Sequence, residues 1–377
     1  MIYFDNAATG GYKPPRVIDA ALNAVKYMSV NAGHSGHRRA IIAEEFVYKT
    51  RKTLCGFFNA DKPEHVIFTK NCTEALNTAI FGLVNKGDNV VVSVYEHNSV
   101  LRPLYRLRDE GYITLTVVRP SHSAIFKEDV ENVLQKNTAL VCLTGASNVT
   151  GELNDYEAIG RLLTNQNITF LLDAAQVAGH AVVDMKKHHV DVLCFSGHKG
   201  MNAVQGSGGL IFGKNVRIRP LMYGGSGTES FSPVPSGYPE LLECGTLNLP
   251  AIASLFEGTV YNTENLKAKQ KRLLELTAYF IDRISEIKGI TLYSRKNPVG
   301  IVAFKFRDYS SQEVAGVLSD HFDIAVRGGY HCAPLAHEFL GTKSCGLVRA
   351  SFNETDTEEE IDLFVNSLLQ AENYIYC

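Results

Sequence analysis

The chain has 377 residues, of which 45% are hydrophobic and 20% charged, and its formal net charge is -3. This length suits one large domain and a smaller one, because a single hydrophobic core stops growing near about 250–300 residues. The small net charge excludes the basic surface typical of nucleic-acid-binding proteins, and no apolar stretch of the sequence approaches the ~20 residues of a membrane span.

The first residues and the cysteines indicate the compartment. Met1–Asp5 shows no basic region followed by a long apolar region, so we expect no signal peptide. The eight cysteines have no paired C-x-x-C spacing, which favours free thiols over a disulfide framework. His331, Cys332 and His337 lie close together in sequence, but no second group of ligands accompanies them, so we expect no metal site. These features predict a cytoplasmic protein.

Seven apolar or β-branched runs alternate with helical patterns between residues 65 and 213. The predicted strands are His65–Thr69, Asn89–Val94, Ile113–Val118, Ala139–Thr144, Ile168–Leu172, Val190–Phe195 and Gly209–Phe212. The helical patterns include Glu74–Val84, Ser99–Arg108 and Tyr156–Leu163. This alternation predicts an α/β fold with a mostly parallel sheet covered by helices on both faces. Ligands of such sheets bind beyond the carboxyl ends of the strands.

The rest of the chain predicts a second, smaller α+β domain. Residues 222–249 are rich in Gly, Ser and Pro and are interpreted as functional loops, and a long helical pattern follows from about Pro250 to Ile287. The later predicted strands are Ile290–Ser294, Gly300–Phe306 and Leu347–Phe352, and the later helices are Ser311–Asp320 and Thr357–Ala371. We therefore assign residues 13–255 to the large domain and residues 256–377, with 1–12, to the small one.

A lysine and an aspartate follow two of the predicted strands. Lys199 ends the segment Cys194-Phe-Ser-Gly-His-Lys199, and Asp173 directly follows the run Ile168–Leu172. A lysine amine forms a Schiff base with the aldehyde of pyridoxal 5'-phosphate, and a carboxylate keeps the pyridine nitrogen of this cofactor protonated. Taken singly, the lysine is equally explained as a solvated loop residue and the aspartate as a helix cap. Together they predict a pyridoxal phosphate site.

Two further segments suit the same site. Cys72 and Thr73 stand where a predicted strand gives way to a helix, and the N–H groups of a helix start bind phosphate. His97 follows the strand Asn89–Val94, where an imidazole is placed to stack on a ring and relay protons. An ordinary capped helix and an ordinary loop histidine remain open alternatives.

A cysteine near the carboxyl end of the chain is a candidate nucleophile. Cys332 lies in the glycine-containing segment Ala325–Pro334 with Arg327 nearby, a setting that favours the thiolate. His331 adjoins it, but neighbours on an extended chain point apart, so we expect no ion pair between them. Arg349, in a predicted strand, suits a bidentate contact with a substrate carboxylate, although a surface arginine is the alternative.

Together these residues resemble the class V aminotransferase superfamily, and within it the cysteine desulfurase and selenocysteine lyase group. The resemblance runs along the whole chain. The segments that carry it are Tyr3–Thr9, Thr73-Glu74, Glu96-His97, Ser147–Gly151, Asp173–Gln176, Ser196–Lys199, Cys244–Asn248, Arg327–Ala333 and Val348-Arg349. The last loop is similar to the subgroup whose cysteine sits on a short ordered loop, whereas residues 31–38 match the family only loosely. The implied fold is the fold type I of pyridoxal phosphate enzymes.

The resemblance also implies roles for individual residues. Lys199 would carry the cofactor and move the Cα proton, Cys332 would take the sulfur, and Arg349 would bind the substrate carboxylate with Asn148 nearby. The remaining implied cofactor contacts are Asp173 to the ring nitrogen, Gln176 to the ring hydroxyl, His97 stacked on the ring with Asn148 nearby, and Thr73, Ser196 and His198 on the phosphate. Thr246 would reach the phosphate of a partner subunit, which implies a homodimer.

The expected activity is removal of sulfur from L-cysteine, giving L-alanine and a persulfide on Cys332 that passes to an acceptor protein. L-selenocysteine is an alternative substrate that the sequence does not separate from L-cysteine. An aminotransferase is a further alternative, but it has no use for a loop thiol. A protein that keeps the fold without catalysis is disfavoured, because Lys199, Asp173 and Cys332 are all retained.

Overall fold

The structure is a computed structural model that describes residues 1–33 and 36–375. The strands are β1 (Ile2–Tyr3), β2 (Val66–Thr69), β3 (Asn89–Ser93), β4 (Thr114–Val118), β5 (Thr138–Thr144), β6 (Thr169–Asp173), β7 (Val192–Ser196), β8 (Gly208–Phe212), β9 (Ile290–Leu292), β10 (Ile301–Phe306), β11 (Ile324–Ala325) and β12 (Val348–Ser351). The α-helices are α1 (Pro15–Tyr27), α2 (Arg38–Phe57), α3 (Cys72–Leu83), α4 (Asn98–Asp109), α5 (Lys127–Glu131), α6 (Tyr156–Asn165), α7 (Leu249–Ser285), α8 (Ser311–Phe322), α9 (Pro334–Phe339) and α10 (Glu358–Ala371).

The predicted seven-stranded, mostly parallel sheet is confirmed. Its strand order is β2-β8-β7-β6-β5-β3-β4, and the β3–β4, β3–β5, β5–β6 and β6–β7 pairs are parallel. Only β8 runs against its neighbours, pairing antiparallel with both β2 and β7. The carboxyl ends of β5, β6 and β7 therefore meet at one edge, and Asp173 and Ser196, which end β6 and β7, both lie there.

Both faces of this sheet are buried, which explains why its strands are apolar runs and do not alternate with polar residues. Val91, Phe170 and Leu193 pack into the core on one face, and Val90 and Leu171 into the core on the other. Each of these five side chains is 0% exposed. This packing fixes the strand ends on which the site is built.

A second sheet and a short strand pair form the rest of the fold. The second sheet has the order β12-β10-β9, and β1 pairs in parallel with β11, so the first residues of the chain lie against the carboxyl-terminal part. Helix α7 runs through the predicted boundary at 255/256, and the division into domains stays a prediction. In the described ranges 1–33 and 36–375, no helix is both long enough and apolar enough to cross a membrane.

Helices α1 and α2 were not predicted from the sequence. The hydrophobic residues Ile18, Leu22 and Val25 of α1 are about half exposed, at 45%, 51% and 57%. Helix α2 is rich in charged residues, so its apolar stripe is narrow. Helix α1 is nevertheless strongly amphipathic, so its periodicity was a signal present in the sequence, whereas the pattern of α2 is weak.

We predict that Gly258→Ala destabilises the protein. Gly258 lies in α7, and a Cβ atom added there would stand 2.2 Å from the carbonyl oxygen of Met201, in the segment that follows Lys199. Helix propensity alone would favour alanine by about 1 kcal/mol, but overpacking against the backbone costs about 1–3 kcal/mol. Urea unfolding should therefore show a lower free energy of unfolding.

Gly316→Ala in α8 is the matched control. A Cβ atom added at Gly316 meets no atom of the described residues within 4 Å. Only the gain in helix propensity acts at this position, so stability should rise by up to about 1 kcal/mol. If Gly258→Ala were as stabilising as Gly316→Ala, the close packing of α7 on the segment after Lys199 would be wrong.

Candidate active site

A cavity of about 210 Å³ lies at the carboxyl edge of the large sheet. Its lining includes ten residues predicted from the sequence, namely Cys72, Thr73, His97, Asn148, Asp173, Gln176, Ser196, His198, Lys199 and Arg349. These residues come from positions far apart in the chain, and the parallel strand ends bring them together. A larger cavity of about 280 Å³, between α2 and residues 226–247, is lined by none of them. The predicted site residues are therefore gathered in the smaller of these two cavities.

One end of the cavity is the start of α3, which is suited to an anion. Asn71 caps this helix, its side chain accepting a hydrogen bond from the N–H of Glu74 at 2.9 Å. The N–H groups of Cys72 and Thr73, in the first turn, have no carbonyl partner within the helix. The Thr73 hydroxyl is 2.7 Å from that of Ser99, which extends the row of polar groups. Backbone donors and hydroxyls of this kind bind phosphate.

A buried carboxylate lies next to the start of α3. Asp173 is 3% exposed and accepts hydrogen bonds from the N–H of Ala175 at 2.9 Å and from the thiol of Cys72 at 3.4 Å. Burial raises the pKa of Asp173, partly offset by the Ala175 N–H and by the charge of Lys199. Within the described ranges no lysine or arginine nitrogen comes within 4.0 Å of this carboxylate. A cation placed in the cavity would offset the cost of burying it.

These residues fit pyridoxal 5'-phosphate, the cofactor expected from the sequence. Two amide oxygens lining the cavity, Asn148 Oδ1 and Gln176 Oε1, are buried and have no hydrogen-bond partner among the described residues. Unpartnered buried polar atoms are rare in proteins and often mark a place for a bound group. Asp173 suits a protonated ring nitrogen, and the start of α3 suits the phosphate.

Lys199 lies on a turn whose carbonyls are held by two other lysines. Lys269 Nζ donates to the carbonyl of Gly200 at 2.7 Å, and Lys13 Nζ donates to that of His198 at 3.3 Å. Desolvation lowers the pKa of Lys199, and the charge of Arg349 lowers it further. Lys13 and Lys269 were not predicted as part of the site. They are distant in sequence from Lys199, and nothing in the local sequence indicates that either contacts its turn.

His97 is fixed in its orientation and held neutral. Its Nδ1 accepts the N–H of Ser99 at 3.1 Å and lies 2.9 Å from the Ser99 hydroxyl, as the cap of α4. Burial, aided by the charge of Lys199, lowers the pKa of His97 to about 4. His198 is likewise neutral, since burial lowers its pKa to about 4, and its Nδ1 is 2.9 Å from the hydroxyl of Thr9.

The loop that carries Cys332 is tied to the cavity on two sides. The Asn98 N–H donates to the Cys332 carbonyl at 2.8 Å, and Asn148 Nδ2 donates to the His331 carbonyl at 2.7 Å. Cys332 is exposed, and Arg327 Nη2, from a residue that lines the cavity, donates to its sulfur at 3.7 Å. The expected neighbourhood of Cys332 and Arg327 is confirmed.

His331 and Cys332 have different surroundings, but the expected extended chain is wrong, because both residues have left-handed φ angles, 50° and 58°. His331 is buried and its Nε2 contacts the Leu347 carbonyl at 3.1 Å, whereas the Cys332 side chain is exposed. The described residues contain no group of three or more His, Cys, Asp or Glu side chains arranged to hold a metal ion. Thr246 is exposed and does not line the cavity, so its role toward a partner subunit stays a prediction. In the loosely matching segment 31–38, His34 and Ser35 lie outside the described residues.

Glu96 is a second buried carboxyl group beside the site. It is 0% exposed, and its Oε1 accepts hydrogen bonds from the Ser93 hydroxyl at 2.5 Å and from the N–H of Thr144 at 3.0 Å. Its Oε2 is buried without a partner among the described residues. Desolvation raises the pKa of Glu96 to about 8. Glu96 therefore holds its proton at neutral pH and connects the ends of β3 and β5.

We predict that Lys269→Met strongly destabilises the protein. The Lys269 ammonium is buried, donates to Gly200, Asn202 and Asn262, and lies 3.8 Å from Glu354 Oε2. Removing one partner of a buried charge pair costs about 3–5 kcal/mol, and urea unfolding should show a loss of this size. The control is Lys271→Met, because Lys271 is 80% exposed and its ion pair with Glu275 is worth less than about 1 kcal/mol. If the two variants lost the same free energy of unfolding, Lys269 would not stabilise the turn that carries Lys199.

We predict that Glu96→Gln weakens the pH dependence of stability. The folded pKa of Glu96, about 8, lies above the ~4.3 of an unfolded glutamate, so its stabilising contribution is complete below pH ~4.3 and is lost as pH rises toward 8. Glutamine mimics the protonated form at every pH. Relative to wild type, the variant should therefore gain stability between pH 5 and 8, by up to about 1.4 kcal/mol per pH unit. Parallel stability curves for the two proteins would refute a protonated Glu96.

The comparisons with known proteins agree with this geometry. Residues 2–364 match the family model described as Aminotransferase class-V. A probable cysteine desulfurase of Methanothermobacter thermautotrophicus is 33% identical over 97% of this chain and 94% of its own length. Another from Pyrococcus abyssi is 32% identical over 98% of this chain and 93% of its own length.

The solved structures give the same result. The apo structure of cysteine desulfurase from Thermococcus onnurineus superposes with a TM-score of 0.86 at 31% identity, covering 99% of this chain and 94% of the other. A cysteine desulfurase of Escherichia coli, at 22% identity, has a TM-score of 0.89 over 99% of this chain and 95% of its own, which supports the fold alone. The expected fold type I is thereby confirmed, and the chain belongs to the class V aminotransferase family.

Proposed function

We propose that this chain is a pyridoxal phosphate-dependent cysteine desulfurase, which converts L-cysteine to L-alanine and keeps the sulfur as a persulfide on Cys332. The observation that carries the proposal is the position of an exposed thiol beside the cavity that contains Lys199. Arg327 contacts the Cys332 sulfur at 3.7 Å and also lines that cavity. The names of the relatives from Methanothermobacter and Pyrococcus support the same activity.

The cavity residues divide into contacts for the cofactor and contacts for the substrate. When bound, pyridoxal 5'-phosphate supplies a protonated ring that withdraws electrons from the Cα atom of an amino acid. The proposed cofactor contacts are Lys199 at the aldehyde, Asp173 at the ring nitrogen, Gln176 at the ring hydroxyl, His97 on the ring face, Asn148 beside it, and Cys72, Thr73, Ser196 and His198 around the phosphate. Arg349, with Asn148, would hold the substrate carboxylate.

Lys199 is the proposed carrier of the Cα proton. A general base must be unprotonated when it acts, and the lowered pKa of Lys199 favours the free amine at Nζ. The hydrogen bonds to the carbonyls of His198 and Gly200 hold the backbone from which this amine projects. His97, with a pKa of about 4, would present a neutral ring to the cofactor and add no positive charge beside Lys199.

The sulfur step needs no external oxidant. The Cys332 thiolate attacks the sulfur of the substrate, so an S–S bond forms while the Cβ–S bond of the substrate breaks. The electron pair of the broken bond remains on Cβ, which takes up a proton and becomes the methyl group of alanine. The two sulfurs are oxidised as Cβ is reduced, and the thiol hydrogens of enzyme and substrate account for the persulfide proton and the new C–H. Arg327 would stabilise the attacking thiolate.

Further proposals concern the assembly and the compartment. We propose a homodimer in which Thr246 reaches the phosphate of the partner's cofactor, supported by its exposure on a loop away from its own cavity. The exposed position of Cys332 would let an acceptor protein approach and remove the persulfide sulfur. A reactive free thiol suits a reducing compartment, which supports a cytoplasmic location.

We predict that Cys332→Ser abolishes sulfur removal while cofactor uptake persists. Without the thiol there is no acceptor for the substrate sulfur, so alanine release from L-cysteine under anaerobic conditions should fall at least about hundredfold. Absorbance of the bound cofactor should remain, because Cys332 does not line the cavity. Amino-acid analysis of the released alanine is the measurement.

The control is Cys345→Ser, which removes a partly buried thiol that the proposal does not use. It should release alanine at the wild-type rate. Release of alanine by Cys332→Ser at the wild-type rate would refute the role of Cys332. The same assay with L-selenocysteine decides between the two substrates, and alanine from selenocysteine alone would make the protein a selenocysteine lyase.

A further inference from the structure

The guanidinium of Arg349, the proposed carboxylate contact, is already held on two sides. Arg349 is 1% exposed. Its Nη1 donates to the carbonyl of Asn148 at 2.9 Å, and its Nη2 donates to Asp5 Oδ1 at 2.7 Å. Each terminal nitrogen carries two N–H groups, so one N–H on each remains for a ligand. Two such groups on one planar guanidinium match the two oxygens of a carboxylate.

The position of Asp5 is set by backbone pairing with the strand that carries Arg349. Asp5 forms a parallel bridge with Ser351, the last residue of β12. The Ser351 N–H donates to the Phe4 carbonyl at 2.7 Å, and the Asn6 N–H donates to the Ser351 carbonyl at 3.3 Å. Because Ser351 lies two residues beyond Arg349 in the same strand, this register fixes the Asp5 carboxylate against the guanidinium.

Asp5 contacts the arginine from outside the cavity. Arg349 lines the cavity, as do Ala7 and Ala8, but Asp5 does not. Asp5 therefore does not occupy the space in which a substrate carboxylate would contact Arg349. A carboxylate side chain inside the cavity would instead compete with the substrate carboxylate for Arg349.

We propose that Asp5 is a positioning residue, which holds the Arg349 guanidinium in the orientation that binds the carboxylate of an α-amino acid. The inference rests on the proposed function, since it takes the carboxylate-binding role of Arg349 from it. A buried arginine without Asp5 keeps one fixed contact, to Asn148, and its plane is free to turn. An ordered guanidinium loses less freedom when a carboxylate binds, which raises affinity.

The test compares two ligands that differ in the carboxylate. L-Alanine and ethylamine share an amine and a two-carbon chain, and only L-alanine carries a carboxylate. We would titrate each into the cofactor-loaded wild type, Asp5→Ala and Asp5→Asn by calorimetry. The matched control is Asp362→Ala, which removes a partly exposed aspartate on α10 whose ion-pair partner is Arg283 of α7, at 2.8 Å.

We expect Asp5→Ala to raise the Kd of L-alanine about tenfold or more and to leave that of ethylamine within about twofold. Asparagine keeps an acceptor for Nη2 but no charge, so Asp5→Asn should give an intermediate Kd. Asp362→Ala should bind both ligands like wild type. An unchanged or lower Kd of L-alanine in Asp5→Ala would overturn the proposal, as would an equal loss for both ligands.

The titrations decide the proposal even if Asp5→Ala does not fold, and they separate this proposal from the proposed function. If Asp5→Ala does not fold, Asp5→Asn carries the comparison, and a Kd of L-alanine equal to that of wild type overturns the proposal. A wild type that does not bind L-alanine also overturns it. The titration needs no turnover, so a wild type that binds L-alanine but releases none from L-cysteine refutes the proposed function and leaves this inference standing.

Discussion

Burial of charge at the carboxyl edge of the large sheet is the constraint on which the site depends. Parallel strands bring their carboxyl ends to one edge, and helices on both faces exclude water from it. Asp173, Glu96, Lys199 and Arg349 are consequently held in an environment where charge is costly. The shifted pKa values follow from this burial, with Glu96 kept neutral and Lys199 moved toward its free amine. Clusters of perturbed groups in a cavity are typical of catalytic sites.

The same constraint explains the polar groups that surround the cavity. Lys13 and Lys269 donate hydrogen bonds to carbonyls of the turn that carries Lys199. Because Gly258 has no side chain, α7 packs closely against Met201, just beyond that turn. The guanidinium of Arg349 is held by Asp5 and Asn148. Buried charges in proteins are usually paired or hydrogen-bonded, and here the partners also set the directions of the reactive groups. Positioning and charge compensation are thus performed by the same contacts.

Much of the fold and the centre of the site could be predicted from the sequence. The strands of the large sheet are apolar runs bounded by polar residues, so all seven predicted ranges end within one residue of the observed strand ends. Lys199, Asp173 and Cys332 follow or flank such runs in segments with recognisable spacing. Helix α2 escaped prediction because its helical periodicity is weak, whereas α1 has a clear amphipathic pattern that could have been recognised.

The supporting residues could not be predicted, for a common physical reason. Lys269, Glu96 and Asp5 each contact a partner that is distant in the chain, and such contacts do not appear in local sequence. The contact between Ser99 and His97 could in part be predicted. Ser99 stands two residues after His97 at the start of a helix, where its hydroxyl can hydrogen-bond the histidine ring. The role proposed for Thr246 involves a second subunit, which a single chain does not contain.

In the proposed reaction, sulfur leaves the substrate by transfer to one particular thiol, that of Cys332. This transfer would be measured in a single anaerobic turnover of the cofactor-loaded protein with limiting L-cysteine, followed by peptide mass spectrometry without reductant. We expect one added sulfur atom on the peptide that contains Cys332, in an amount equal to the alanine formed. Alanine without added sulfur on that peptide, or sulfur on another cysteine, would contradict the proposed reaction.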